Sequence, residues 1–249
     1  MLIPIGDENV RGAPPAWVTY LLILANVGVF FYFQGMGTNE EFTYGYSVIP
    51  QQIVTGEDLT SPQQVEHQGQ TVEVPQYPGP SPIYLTLITA MFMHAGFFHL
   101  FGNLLYLWIF GDNVEHRFGA LPFIGFYLFS GLVATIVQVL LDPSSVIPNL
   151  GASGAVSGVL GAYLVLFPKN RVHAIFFFVI ISIPAVIAIG LWIVLQLVGG
   201  WGALTATGDT LGGVAYGAHV GGFFAGMILA TIMRFVIKKE KSNIYSRYD

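Results

Sequence analysis

Four polar residues stand inside otherwise apolar stretches, and their types fit nucleophilic catalysis: His99, Asn103, Ser153 and His219. A strongly polar side chain is costly in hydrocarbon and by default marks a functional site. Ser153 lies in Gly151-Ala152-Ser153-Gly154, directly after the turn-rich segment 142–149. A serine that begins a helix has free backbone N–H groups and the positive end of the helix dipole beside it. Those groups stabilise an oxyanion formed next to a serine nucleophile. The flanking glycines let a substrate backbone come close. The plainer alternative makes Ser153 an N-cap and Gly154, Gly158 and Gly161 a helix-packing seam.

His219 sits in a run where Ala218, Gly222 and Gly226 recur every four residues. Such a small-residue stripe lets its helix approach a neighbour closely. If that neighbour carries Ser153, a neutral imidazole there could take the serine proton as general base. Otherwise His219 is a histidine satisfied by a carbonyl or water within a tight bundle. His99 and Asn103 are one helical turn apart and share a face, and both can donate to a developing oxyanion. His94 reads as interfacial. Glu115 and Arg117 read as a charge pair and helix-end anchor. Asp209 has no buried aspartate to pair with, and no His-Glu-x-x-His sequence exists, so no metal and no cofactor is expected.

These residues need a membrane scaffold. Only 9% of the 249 residues are charged and 54% are apolar, against about 25% charged in an average soluble protein. There are no cysteines, which excludes thiol chemistry and disulfides. The net charge of -5 argues against a nucleic-acid partner. A spanning helix needs about 20 mostly apolar residues. Six stretches qualify: Ala16–Phe33, Ile83–Phe110, Ala120–Leu141, Ala152–Phe167, Val172–Val198 and Leu211–Ile237.

All nine Lys and Arg residues fall before span one, between spans two and three, between four and five, or at and after the end of six. The segments 34–82, 142–151 and 199–210 contain none. This is the positive-inside pattern for six spans with both termini in the cytoplasm. The predicted architecture is an all-α polytopic bundle: a cytoplasmic segment 1–15, a membrane domain 16–237 with a long external loop 34–82, and a basic cytoplasmic tail 238–249. The loop holds six acidic residues and reads as poorly ordered over Gln51–Pro80. Counting back from each span's cytoplasmic basic residue, at roughly 1.5 Å per residue, places His99, Asn103, Ser153 and His219 in one layer below the outer face. Pro184 within span five, and the Gly199–Gly208 loop after it, mark a candidate gate. The short chain points to a prokaryotic plasma membrane.

On these motifs the chain resembles the rhomboid intramembrane serine proteases. His99-Leu-Phe-Gly-Asn103 matches the family's His-x-x-x-Asn, Glu115-His-Arg117 its Glu-x-Arg, and Gly151-Ala152-Ser153-Gly154 its Gly-x-Ser-Gly. Ala218-His219 with Gly222 and Gly226 matches its last helix. The resemblance implies a Ser–His dyad endopeptidase that cuts single-pass transmembrane proteins. Ser153 would be the nucleophile and His219 the base, with His99, Asn103 and the Ser153 N–H as oxyanion hole. Gly154, Gly158, Gly222 and Gly226 would pack the two catalytic helices. The alternative is a silent relative that binds or escorts membrane proteins. Two departures stand out: Ser157 replaces an aromatic that many relatives stack on the histidine, and a Trp-Arg pair is absent from 34–82.

Overall fold

The stretch 120–141 has no charged residue and no break, and it folds as one 22-residue helix, Ala120–Leu141. Around it a computed structural model describes residues 2–9, 12–67, 69–205 and 214–237. In chain order the elements are β1 (Leu2–Asp7), α1 (Trp17–Gly28, continued by a π-helical turn to Phe33), α2 (Glu40–Gly45), α3 (Pro50–Thr55), β2 (Gln63–His67), β3 (Gln70–Val74), α4 (Thr86–Thr89), α5 (Phe97–Phe118) and α6 (Ala120–Leu141). They continue with α7 (Ser153–Leu166), β4 (Arg171–Phe176), β5 (Val179–Pro184), α8 (Ala185–Thr205) and α9 (Tyr216–Val236). The tail 238–249 and Asp209 lie outside the described residues.

The structure is mostly helical, but not all-α. Leu2–Asp7 pairs antiparallel with Arg171–Phe176, which pairs antiparallel with Val179–Pro184. Val172–Pro184 is therefore a β-hairpin, and the fifth apolar helix starts only at Ala185. The segment is rich in Val, Ile and Phe, which favour strands. A short apolar run suits a buried strand and a helix equally, and it is the distant β1 that makes the strand. Pro184 consequently ends a strand and kinks no helix. Gly199 and Gly200 lie inside α8, which runs to Thr205, and residues 206–208 of the expected loop fall outside the described ones.

The stretch Ile83–Phe110 is also not one helix. Short helical turns over Ile83–Phe92 meet α5 at an angle of 77°, because Met93 and Gly96 take extended backbone between them. The segment Gln51–Pro80, expected to be poorly ordered, carries α3 and the β2–β3 hairpin. Val48, just before α3, bridges to Asn149 beside the serine motif.

Three helices, α6, Ala185–Gly202 of α8, and α9, are long and apolar enough to cross a membrane. The bent pair ending in α5 makes a fourth, while Trp17–Phe33 and α7 are apolar but shorter. At about 1.5 Å per residue, α7 is only about 21 Å long. It needs no lipid-length span, because Gly154–Tyr163 is buried throughout by protein. Phe110, Phe123, Tyr127, Tyr163, Leu160 and Phe223 make the core between α5, α6, α7 and α9. Leu121, Leu140, Leu195, Val198, Ile228 and Phe235 face outward from α6, α8 and α9. A belt of large apolar side chains on the outside is what hydrocarbon, not water, would cover.

Candidate active site

The site begins with the seam between α7 and α9. A Cβ on Gly222 would lie 2.1 Å from the Gly154 carbonyl oxygen, and one on Gly226 would lie 2.0 Å from that of Gly158. Only hydrogen fits there, so the two backbones touch. Both contacts join residue n of α7 to the residue 68 places on in α9, so the helices run parallel. That register sets Ala218 against Gly154, one position from both Ser153 and His219. Gly154, Gly158, Gly222 and Gly226 all lie in this seam.

Ser153, His219, His99 and Asn103 line one cavity of about 500 Å³. α7 supplies the serine as its first residue, α9 the histidine in its first turn, and α5 the other two. The N-cap position of α7 belongs to Ala152, and no side chain caps this end. Ser153 is thus not the capping residue of the plainer alternative, and its backbone N–H belongs to the unpaired first turn. No described hydrogen bond links Ser153 Oγ to His219. Nucleophile–base contacts of this kind often tighten only in the substrate complex.

Neighbours set the proton positions on the two imidazoles. The Ala95 N–H donates to His99 Nδ1 at 3.2 Å, so neutral His99 carries its proton on Nε2. That nitrogen lies on the Gly151 side, where a Cβ on Gly151 would come within 2.9 Å of it and within 3.6 Å of Ser153 Oγ. Gly151 also has φ +136, a conformation side chains rarely adopt. A glycine is required there for two reasons, and it keeps the ring and the serine close. Asn103 is buried, and one of its amide hydrogens is bound to the His99 carbonyl at 2.8 Å. Its second amide hydrogen remains for a ligand.

On the other side, His219 Nδ1 is 2.7 Å from Gln196 Oε1. The Trp192 ring lies 6.0 Å from the imidazole at an interplanar angle of 32°. Both residues come from α8. Ser157, where many relatives place an aromatic, gives its hydroxyl to the Ser153 carbonyl at 2.6 Å and lines the same cavity. The sequence did carry a signal for this arrangement. Gln196 is the only hydrogen-bonding amide in the apolar run Ala185–Gly202, and Trp192 stands one turn before it.

Two further readings are corrected. His94 is not interfacial: it is fully buried, edge-on to His99 at 5.2 Å between ring centroids. Its backbone exchanges hydrogen bonds with the Gln34 side chain. The chain bend at Met93–Gly96 turns it inward. Glu115 gives its oxygens to the first turn of α1, through Val18 and Thr19, rather than to Arg117. Its helix-end role stands, with a different end.

Comparison with known proteins bears on the family. A family model of the Rhomboid domain matches residues 82–235. The chain is 31% identical over 163 residues to the mitochondrial Rhomboid protein 1 of Saccharomyces cerevisiae, covering 63% of this chain and 44% of that one. It is 35% identical over 144 residues to the Rhomboid protease GluP of Bacillus subtilis, covering 57% and 25%. With RHOMBOID-like protein 5 of Arabidopsis thaliana it shares 33% over 153 residues, covering 59% and 43%. The chain spans less than half the length of these curated relatives. Resting on the family match over most of its membrane core, the chain belongs to the rhomboid family.

Proposed function

We propose that the protein is an intramembrane serine endopeptidase that hydrolyses peptide bonds in or near the transmembrane segments of single-pass proteins. The observation that carries this reading is that one cavity is lined by Ser153, His219, His99 and Asn103, delivered by three helices. His219 Nε2 takes the proton from Ser153 Oγ as Oγ bonds to the scissile carbonyl carbon. The oxyanion accepts from His99 Nε2–H, the Ser153 N–H and the free Asn103 amide hydrogen. The intermediate collapses to an ester on Ser153, and the leaving amine takes the proton from the imidazolium. Water, deprotonated by His219, then attacks the ester and frees the new carboxyl end. A helical amide must unwind first, so small or helix-breaking residues at the scissile bond favour cleavage.

In this reading the chain spans the bilayer six times with both termini in the cytoplasm, and the cavity opens to the outer side. The division into segment 1–15, membrane domain 16–237 and tail 238–249 belongs to the same proposal. The sorting of Lys and Arg supports it, and cysteine labelling of loops in sealed vesicles tests it. The membrane we assign is a prokaryotic plasma membrane. The relatives' names include a mitochondrial, a plant and a Bacillus protein, so they do not choose among membranes. Substrate enters between α5 and α8, which contribute Tyr106 and Trp192 to the cavity lining. A cross-link between α5 and α8 that leaves cleavage at full rate contradicts this route.

Purified protein should cleave a model transmembrane substrate and react with a fluorophosphonate. Ser153→Ala and His219→Ala should each abolish turnover while the fold persists. A relative that only binds or escorts membrane proteins would retain the substrate uncut in wild type and variants alike.

A further inference from the structure

A dyad without a carboxylate lacks one part of a triad. There the acid fixes which imidazole nitrogen holds the proton and keeps the ring aimed. Among the described residues no Asp or Glu lines this cavity. A histidine whose Nδ1 has no partner divides its proton between two nitrogens, and the form with the proton on Nε2 cannot accept one from serine.

The structure assigns that missing part to α8: we propose that Gln196 is the positioning residue that holds His219 in its Nδ1–H form, with Trp192 bracing the ring. An amide oxygen only accepts hydrogen bonds. With Gln196 Oε1 at 2.7 Å, Nδ1 bears the hydrogen, and Nε2 is left as the basic nitrogen. Gln196 and Trp192 are one turn apart and so lie on the same face of α8. Trp192 is held in turn against Phe223, with ring centroids 6.1 Å apart. Ser157, the alternative support on α7, is occupied with the Ser153 carbonyl. The base thus stands on α9 but takes its orientation from α8. This inference rests on the protease reading for its purpose, not for its geometry.

Three variants test it. Gln196→Glu keeps an acceptor oxygen at the same reach, Gln196→Met keeps the bulk without an acceptor, and Trp192→Leu removes the ring. Gln196→Met should lower kcat at least about tenfold, and at most by the roughly 10⁴-fold that a wrong tautomer costs a triad protease. KM should change little, and Gln196→Glu should retain most of the rate. Trp192→Leu should fall between them. Independently of activity, ¹⁵N shifts of the His219 ring, assigned by difference from His219→Ala, should show the Nδ1–H tautomer in wild type and Gln196→Glu. In Gln196→Met they should show a mixture. Wild-type tautomer and rate in Gln196→Met overturn the proposal, as does a wild-type His219 protonated on Nε2. Wild type that shows the expected tautomers but no Ser153-dependent cleavage overturns the protease reading and leaves the assignment of Gln196 standing.

Discussion

Glu115 of α5 holds the first turn of α1, which begins at Trp17: one carboxylate oxygen accepts both the Thr19 N–H and its hydroxyl, at 2.7 and 2.8 Å. The other oxygen takes the Val18 N–H at 3.0 Å. The end of α5 thereby satisfies donors that the first turn of α1 cannot pair internally. Glu115→Ala leaves those donors buried without partners and should cost about 2–4 kcal/mol of stability. Thr19→Val, which loses only the hydroxyl contact, should cost about 1 kcal/mol. Thermal unfolding in detergent measures both, and equal midpoints for wild type and Glu115→Ala would show that the cap contributes nothing.

The seam between α7 and α9 has no room for a methyl group. Gly226→Ala puts a carbon 2.0 Å from the Gly158 carbonyl oxygen, whereas a Cβ on Gly125 of α6 meets nothing within 4 Å. Gly226→Ala should lower the unfolding midpoint and suppress fluorophosphonate labelling of Ser153, since α7 and α9 must part. Gly125→Ala should label normally and gain up to about 1 kcal/mol from helix propensity. Similar labelling of the two variants would argue that the register across this seam does not matter.

The oxyanion donors are expected to be unequal. Losing one donor typically costs roughly 10²–10³ in rate. His99 offers a whole N–H fixed by Ala95, while Asn103 already spends one amide hydrogen on the His99 carbonyl. His99→Ala should therefore reduce kcat more than Asn103→Ala, with both variants still labelled slowly at Ser153. The reverse order in steady-state kinetics would mean that Asn103 is the principal donor.

Asp7, at the end of β1 and outside the spans, accepts hydrogen bonds from Tyr163 and Asn113. Its other oxygen is buried without a partner. Burial pushes its pKa from 3.8 up to about 7, against the pull of the Tyr163 hydroxyl and with help from the nearby charge of Asp112. A carboxyl whose pKa is raised on folding binds more protons folded than unfolded. Its contribution to stability is complete below about pH 4 and is lost as pH rises through about 7. Asp7→Asn removes that dependence, so its unfolding midpoint should rise relative to wild type between pH 5 and pH 8. A constant difference across that range would rule out Asp7 as the titrating group.

Some of the structure was legible in local composition. Polar side chains in apolar runs singled out Ser153, His219, His99 and Asn103, which line one cavity, because hydrocarbon makes such residues conspicuous wherever they fold. Uninterrupted apolar stretches with no competing pairing gave α6 and α7 close to their observed ends, and the four-residue glycine spacing located the seam. What depends on a distant partner was not legible. Val172–Pro184 is apolar enough for a helix and becomes a hairpin only because Leu2–Asp7, more than 160 residues away, supplies the ladder. Glu115 has Arg117 as a neighbour in sequence but makes its hydrogen bonds to α1. Gln196 was a lone amide on one helix until packing set it beside His219 on another. Hydropathy reports what each segment avoids. Which donor meets which acceptor is decided when the helices pack, and there a shift of one turn would exchange every partner.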